Sequence, residues 1–109
     1  MISAYFLVSM KNVREGQTDP AIGFVKDALK MGYVKEAMGT FGVYDAFLKV
    51  EYDQGEGLEA GLREVRDIRD KIKKMDNVVT ATMIFDSSVL DAIEREKNYK
   101  LKDLVKDMI

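Results

Sequence analysis

Ile2 to Met10 alternates so that Ile2, Ala4, Phe6, Val8 and Met10 fall on one side of the chain and Ser3, Tyr5, Leu7 and Ser9 on the other. A two-residue period over β-forming residues predicts a strand, and because both sides carry bulk, both are expected to be covered. The polar stretch Lys11 to Gln17 then leads into Thr18-Asp19-Pro20. A capping side chain followed by proline, whose ring is preset for the first helical turn, predicts a helix start. Ala21, Ile22, Val25, Ala28 and Leu29 recur at helical spacing, and Gly32 is placed to end that helix. Two apolar-rich runs follow, Tyr33 to Phe41 and Tyr44 to Tyr52, and they meet at Gly42-Val43-Tyr44-Asp45. In the second run Tyr44, Ala46, Leu48, Val50 and Tyr52 alternate with Asp45, Phe47, Lys49 and Glu51, so the pair reads as a hairpin.

Beyond the glycine-containing loop Asp53 to Gly57, Leu58, Leu62, Val65, Ile68, Ile72 and Met75 trace an amphipathic stripe. Glu59, Arg63, Asp67, Asp70, Lys71 and Lys74 line its other side at ion-pair spacing. Asp76-Asn77 ends the helix, and Val78 to Phe85 is a fourth strand. The order βαββαβ predicts an α+β, ferredoxin-like domain over residues 2–85: a four-stranded antiparallel sheet with two helices on one face. Residues 86–109 are expected to form a C-terminal helical tail. It has capping candidates Ser87 and Ser88, apolar positions Leu90, Ile93, Leu101, Leu104, Val105 and Met108, and a break at Asn98.

Helices on one face leave the other open, and Tyr5, Leu7, Phe47, Val79, Ala81, Met83 and Phe85 are the residues expected to include its lining. An apolar open face needs a partner, which predicts a homodimer paired through its sheets; the competing arrangement folds the tail back over the face.

Composition narrows the chemistry. The 109 residues suit one domain, and 47% apolar and 33% charged residues with a net charge of −2 set up no bulk field toward nucleic acid or anionic membrane. There is no Cys and no His, so thiolate sites, cysteine nucleophiles and imidazole bases are excluded. No run approaches the ~20 apolar residues of a membrane span, and Ile2 to Val8 lacks the basic flank of a signal peptide, so a cytoplasmic protein is expected. Glu51, Asp53 and Glu56 match no cation-loop spacing, and neither a metal nor another cofactor is expected. Met1 directly before the first strand leads to the expectation of a complete small protein.

The chemically distinctive place is the turn. Its glycine gives the backbone freedom, and Asp45 sets a carboxylate at the end of the sheet, where it serves either as a local N–H cap or as an acceptor for a small cationic group. Val34-Lys35-Glu36-Ala37, then Thr40-Phe41-Gly42-Val43-Tyr44-Asp45, then Val78 with Thr80-Ala81-Thr82, resemble in order and spacing the effector (RAM) domain of the Lrp/AsnC family over about residues 2–85. The likeness implies a ferredoxin-like domain that dimerises through its sheets, assembles further into a ring of dimers, and binds a free amino acid between dimers. Carried over by position, it implies ligand-binding roles for Gly42, Tyr44, Asp45, Thr80 and Thr82, with Thr40 and Met38 as lining. It further implies other Lrp/AsnC-type regulators as partners.

The family usually carries a helix-turn-helix ahead of this domain, whereas here the first strand begins at Ile2. The resemblance is therefore to the stand-alone type, with no direct nucleic-acid binding expected. A Pro-Gly-Val turn common in the family is replaced by Met75-Asp76-Asn77-Val78. The function expected is a non-enzymatic amino-acid-sensing and oligomerisation module acting in transcriptional or metabolic regulation. The alternatives are a purely structural oligomerisation module and a small dimeric ferredoxin-like oxygenase or isomerase, for which the chain offers no evident acid–base set.

Overall fold

The computed structural model describes residues 2–12, 16, 18–52, 57–85, 87–96 and 99–108. Eight elements follow one another: β1 (Ile2–Met10), α1 (Pro20–Leu29), β2 (Val34–Gly39), β3 (Ala46–Tyr52), α2 (Leu58–Lys73), β4 (Val78–Phe85), α3 (Ser87–Glu96) and α4 (Tyr99–Met108). The strands form one antiparallel sheet in the order β2-β3-β1-β4. Each βαβ unit is split by a strand of the other, which is the ferredoxin-like arrangement in an α+β protein.

Strand residues directly opposite one another share a face. Phe6 lies between Leu48 and Met83, and Val8 between Ala46 and Ala81, and all of these are buried beneath the helices. The core is completed by Leu62, Val65, Ile68 and Ile72 of α2 and by Ala21, Phe24 and Ala28 of α1. The α2 stripe matches the sequence pattern. In α1 the buried side is instead set by Phe24 and two alanines, while Ile22 and Leu29 are about half exposed (53% and 49%). Small residues let α1 approach the sheet, and the larger aliphatics are left to face outward.

The helix start read from Thr18-Asp19-Pro20 is realised: Asp19 is the N-cap, its Oδ1 accepts from the Ala21 N–H at 2.9 Å, and Pro20 opens the helix. Asp19→Ala should therefore cost about 1 kcal/mol, read as a lower urea midpoint at unchanged slope. The far end differs from expectation. The helix stops at Leu29 with Lys30 still right-handed, and Gly32 does not take the left-handed conformation, so it is no glycine stop. Asn77, by contrast, has φ 68° and turns the chain from α2 into β4.

The tail is helical and adds to the helical layer. α4 packs on α2, α3 packs on α4 and on β4, and Val89, Ile93, Leu101 and Val105 join the common core. Leu90, expected inside, is 48% exposed, and Val89 takes the inward position. Asn98, Asp53 and Glu56 lie outside the described residues.

The opposite sheet face carries Tyr5, Leu7 and Phe47, as expected, with Tyr5 and Phe47 stacked at 5.8 Å between ring centroids. Ala81, Met83 and Phe85 do not belong to it. They pair with Val8, Phe6 and Ala4 and turn toward the helices, so the open face of β4 is Thr80, Thr82 and Ile84. Val79 sits beside the register shift at Ser9/Met10 and is 58% exposed.

Candidate functional site

The β2–β3 connection is built around two residues at its ends. Thr40 N–H donates to the Asp45 carbonyl at 2.9 Å, and Thr40 Oγ1 donates to the Tyr44 carbonyl at 2.7 Å, which closes the loop. At its tip Gly42 has φ 115°, a conformation other residues rarely adopt. A Cβ there would meet nothing within 4 Å, so the requirement is conformational rather than steric. Phe41 and Val43 on either side project almost wholly into solvent.

Asp45 ties this loop to β1. Its N–H donates to the Val8 carbonyl at 2.8 Å, and its Oδ2 accepts from the Met10 N–H at 2.7 Å. The last β1–β3 residue pair is Val8↔Ala46, and the Tyr44 carbonyl is engaged by Thr40, so the carboxylate extends the ladder one step past the paired strand. Asp45 Oδ1 has no partner among the described residues. The side chain thus fills the local capping role and keeps one acceptor oxygen in reserve.

A groove of about 370 Å³ lies between this loop and the first two turns of α1. Ile22 and Val25 line it from the helix and Gly39, Thr40 and Phe41 from the loop, with Asp45, Asp19 and Lys26 as its charged groups. A wider, open trough of about 840 Å³ occupies the other flank of the α1 start and is lined by Lys11, Asp27, Lys74, Asp76 and Asn77 among others. None of the residues carried over by the family likeness lines that trough.

Four of those seven residues, Thr40, Gly42, Tyr44 and Asp45, are thus gathered into one loop. The other three lie on the sheet. Met38 pairs with Phe47, Thr82 with Leu7 and Thr80 with Ser9, all on the open face, and β1 stands between the threonines and the strand that Asp45 precedes. Sequence reasoning missed Ile22, Val25 and Lys26 as groove residues. Their i, i+3, i+4 spacing beside the cap put two aliphatics and a cation on one helix face, but the same pattern also reads as core.

On the open face Lys49 pairs with Glu51 at 3.3 Å. The hydrogen bond to Glu51 and that residue's charge, joined by Tyr5 and Glu36, raise the Lys49 ammonium pKa above its ordinary value. Burial raises that of the Tyr33 phenol. Among the described residues no group of three or more carboxylates could hold a metal ion, and no helix is long and apolar enough to cross a membrane.

No protein-family model matches this sequence, and no curated protein matches it. Among solved structures, FFRP-type, Lrp/AsnC-like proteins share the fold. The crystal structure of FFRP-DM1 aligns with a TM-score of 0.58 at 26% identity, over 79% of this chain and 99% of that one. Hypothetical protein PHS023 from Pyrococcus horikoshii gives 0.58 and 26%, over 79% of this chain and 89% of its own. TTHA0845 from Thermus thermophilus gives 0.60 at 17% identity, over 79% and 92%, a likeness of fold alone.

Proposed function

We propose that this chain is a non-enzymatic module that binds a small amino acid and assembles with copies of itself, acting in the cytoplasm on transcriptional or metabolic regulation through Lrp/AsnC-type protein partners. The observation that carries the reading is Asp45: one carboxylate oxygen is held by the Met10 N–H, and the other has no partner among the described residues, at a groove whose charged lining also includes Lys26. A free amino acid is a zwitterion, and its two ends need a carboxylate and a cation or N–H donors. The groove supplies both, with Ile22 and Val25 as apolar lining, and its volume is near the lower end of the ~300–1,000 Å³ of small-molecule sites. An aliphatic amino acid fits this chemistry. Tyr44, Thr80, Thr82 and Met38 enter the site only in an assembly, where a neighbouring copy brings its own sheet and loop to bear.

The bond from Met10 to Asp45 equally suits a second reading, a structural oligomerisation module whose carboxylate is only a cap. Thermal shift of the purified protein against the twenty amino acids, with light scattering in parallel, separates the two. A ligand present at a hundred times its dissociation constant should stabilise the fold by about 2.7 kcal/mol and, if it sits between copies, increase the mass. No shift with any of the twenty gives the structural reading the lead.

A further inference from the structure

The open sheet face is divided into two rows. One row across the sheet is Met38, Phe47, Leu7 and Thr82, and the next is Glu36, Lys49, Tyr5 and Ile84, with Glu51 beside Lys49 on β3. An apolar band is therefore bordered by a cation between two carboxylates. Lys49 and Glu51 are already largely covered, their side chains 28% and 27% exposed, and both lie on β3, one of the two central strands. Charges so placed lose most of their remaining water when a second surface docks, and that is costly unless the incoming surface carries opposite charges in register.

We propose that Glu36, Lys49 and Glu51 set the register of a homodimer formed by this face, each Lys49 ammonium meeting a carboxylate of the second copy across the twofold axis. This rests on the homodimer reading above. The occupant is a second copy because a twofold interface must complement itself, and a row holding both signs side by side does so, whereas a face of one sign would repel its copy. The apolar row supplies contact area in any relative shift of the two sheets. Only the charged row distinguishes one shift from another, and a slipped pairing leaves a Lys49 against apolar side chains.

Analytical ultracentrifugation of the full chain tests this with two charge reversals. Wild type should sediment as a dimer, and Lys49→Glu and Glu51→Lys should each weaken dimerisation at least tenfold while far-UV spectra stay unchanged. An equimolar mixture of the two variants should recover the dimer, because a row of three carboxylates then meets one in which two lysines outnumber Glu36. Dimers of both single variants at wild-type strength would overturn the register role and leave the homodimer standing. So would weakened variants that the mixture does not rescue, since the pair would then act only within one chain. A monomeric wild type at all concentrations would overturn the homodimer and this inference together.

Discussion

Phe6→Ala should destabilise the protein by about 3–5 kcal/mol, the usual cost of truncating a buried aromatic and leaving a cavity. Phe6 is wholly buried at the middle of β1, one of the two central strands, between Leu48 and Met83, which are also wholly buried, and it belongs to the core shared with Leu62 and Ile72. It is enclosed by both neighbouring strands and by the helical layer, so little can move to fill the void. Domains of this size have a net stability of only about 5–15 kcal/mol, so the loss is a large fraction of the whole. The melting temperature should fall by more than about 12 °C, and the urea midpoint should drop with little change in slope. Phe41→Ala is the matched control. Phe41 is as exposed as an isolated residue, at 105%, and its removal should leave monomer stability within about 0.5 kcal/mol. A small effect at Phe6, or a large one at Phe41, would mean that the core lies elsewhere.

The sheet and α2 were legible because their patterns are long and have a single explanation. The strand-forming alternation through β1 runs unbroken along the whole element, and the stripe from Leu58 to Met75 in and just beyond α2 leaves that helix a single apolar face to bury. Shorter signals were read less well. In α1 two faces carry aliphatic residues, and only the sheet's demand for close approach selects Ala21, Phe24 and Ala28 over Ile22 and Leu29. In β4 Val79, Ala81, Met83 and Phe85 are one alternating set, but which face they join depends on pairing with β1, a long-range fact absent from the strand itself. Thr80 and Thr82, polar and interleaved with them, were the local clue that Ala81, Met83 and Phe85 turn inward. The site divided in the same way. The loop from Thr40 to Asp45 is contiguous, so its residues were found together, whereas Ile22, Val25 and Lys26 reach the groove from a helix earlier in the chain.

Asp45 is where the two roles of a residue can be separated by one atom. Asp45→Ala removes both oxygens, leaving the part-buried Met10 N–H without its acceptor, and should cost about 1–3 kcal/mol of stability as well as any amino-acid response. Asp45→Asn keeps a carbonyl oxygen for Met10, so most of that stability should survive. It also puts a neutral NH2 donor where an ammonium would need an acceptor, and the ligand-induced shift of about 2.7 kcal/mol at a hundredfold excess over the dissociation constant should disappear. The pattern expected from urea and thermal-shift measurements is thus a destabilised, unresponsive Ala variant beside a near-native, unresponsive Asn variant. An Asn variant that responds like wild type would show that the carboxylate's charge anchors no ligand. An Asn variant as unstable as the Ala one would show that the bond to Met10 needs the full charge, and Asp45 would then be first a cap that holds the loop to β1. The first outcome removes the groove as a zwitterion site; the second leaves it, with a cap that a ligand has to share.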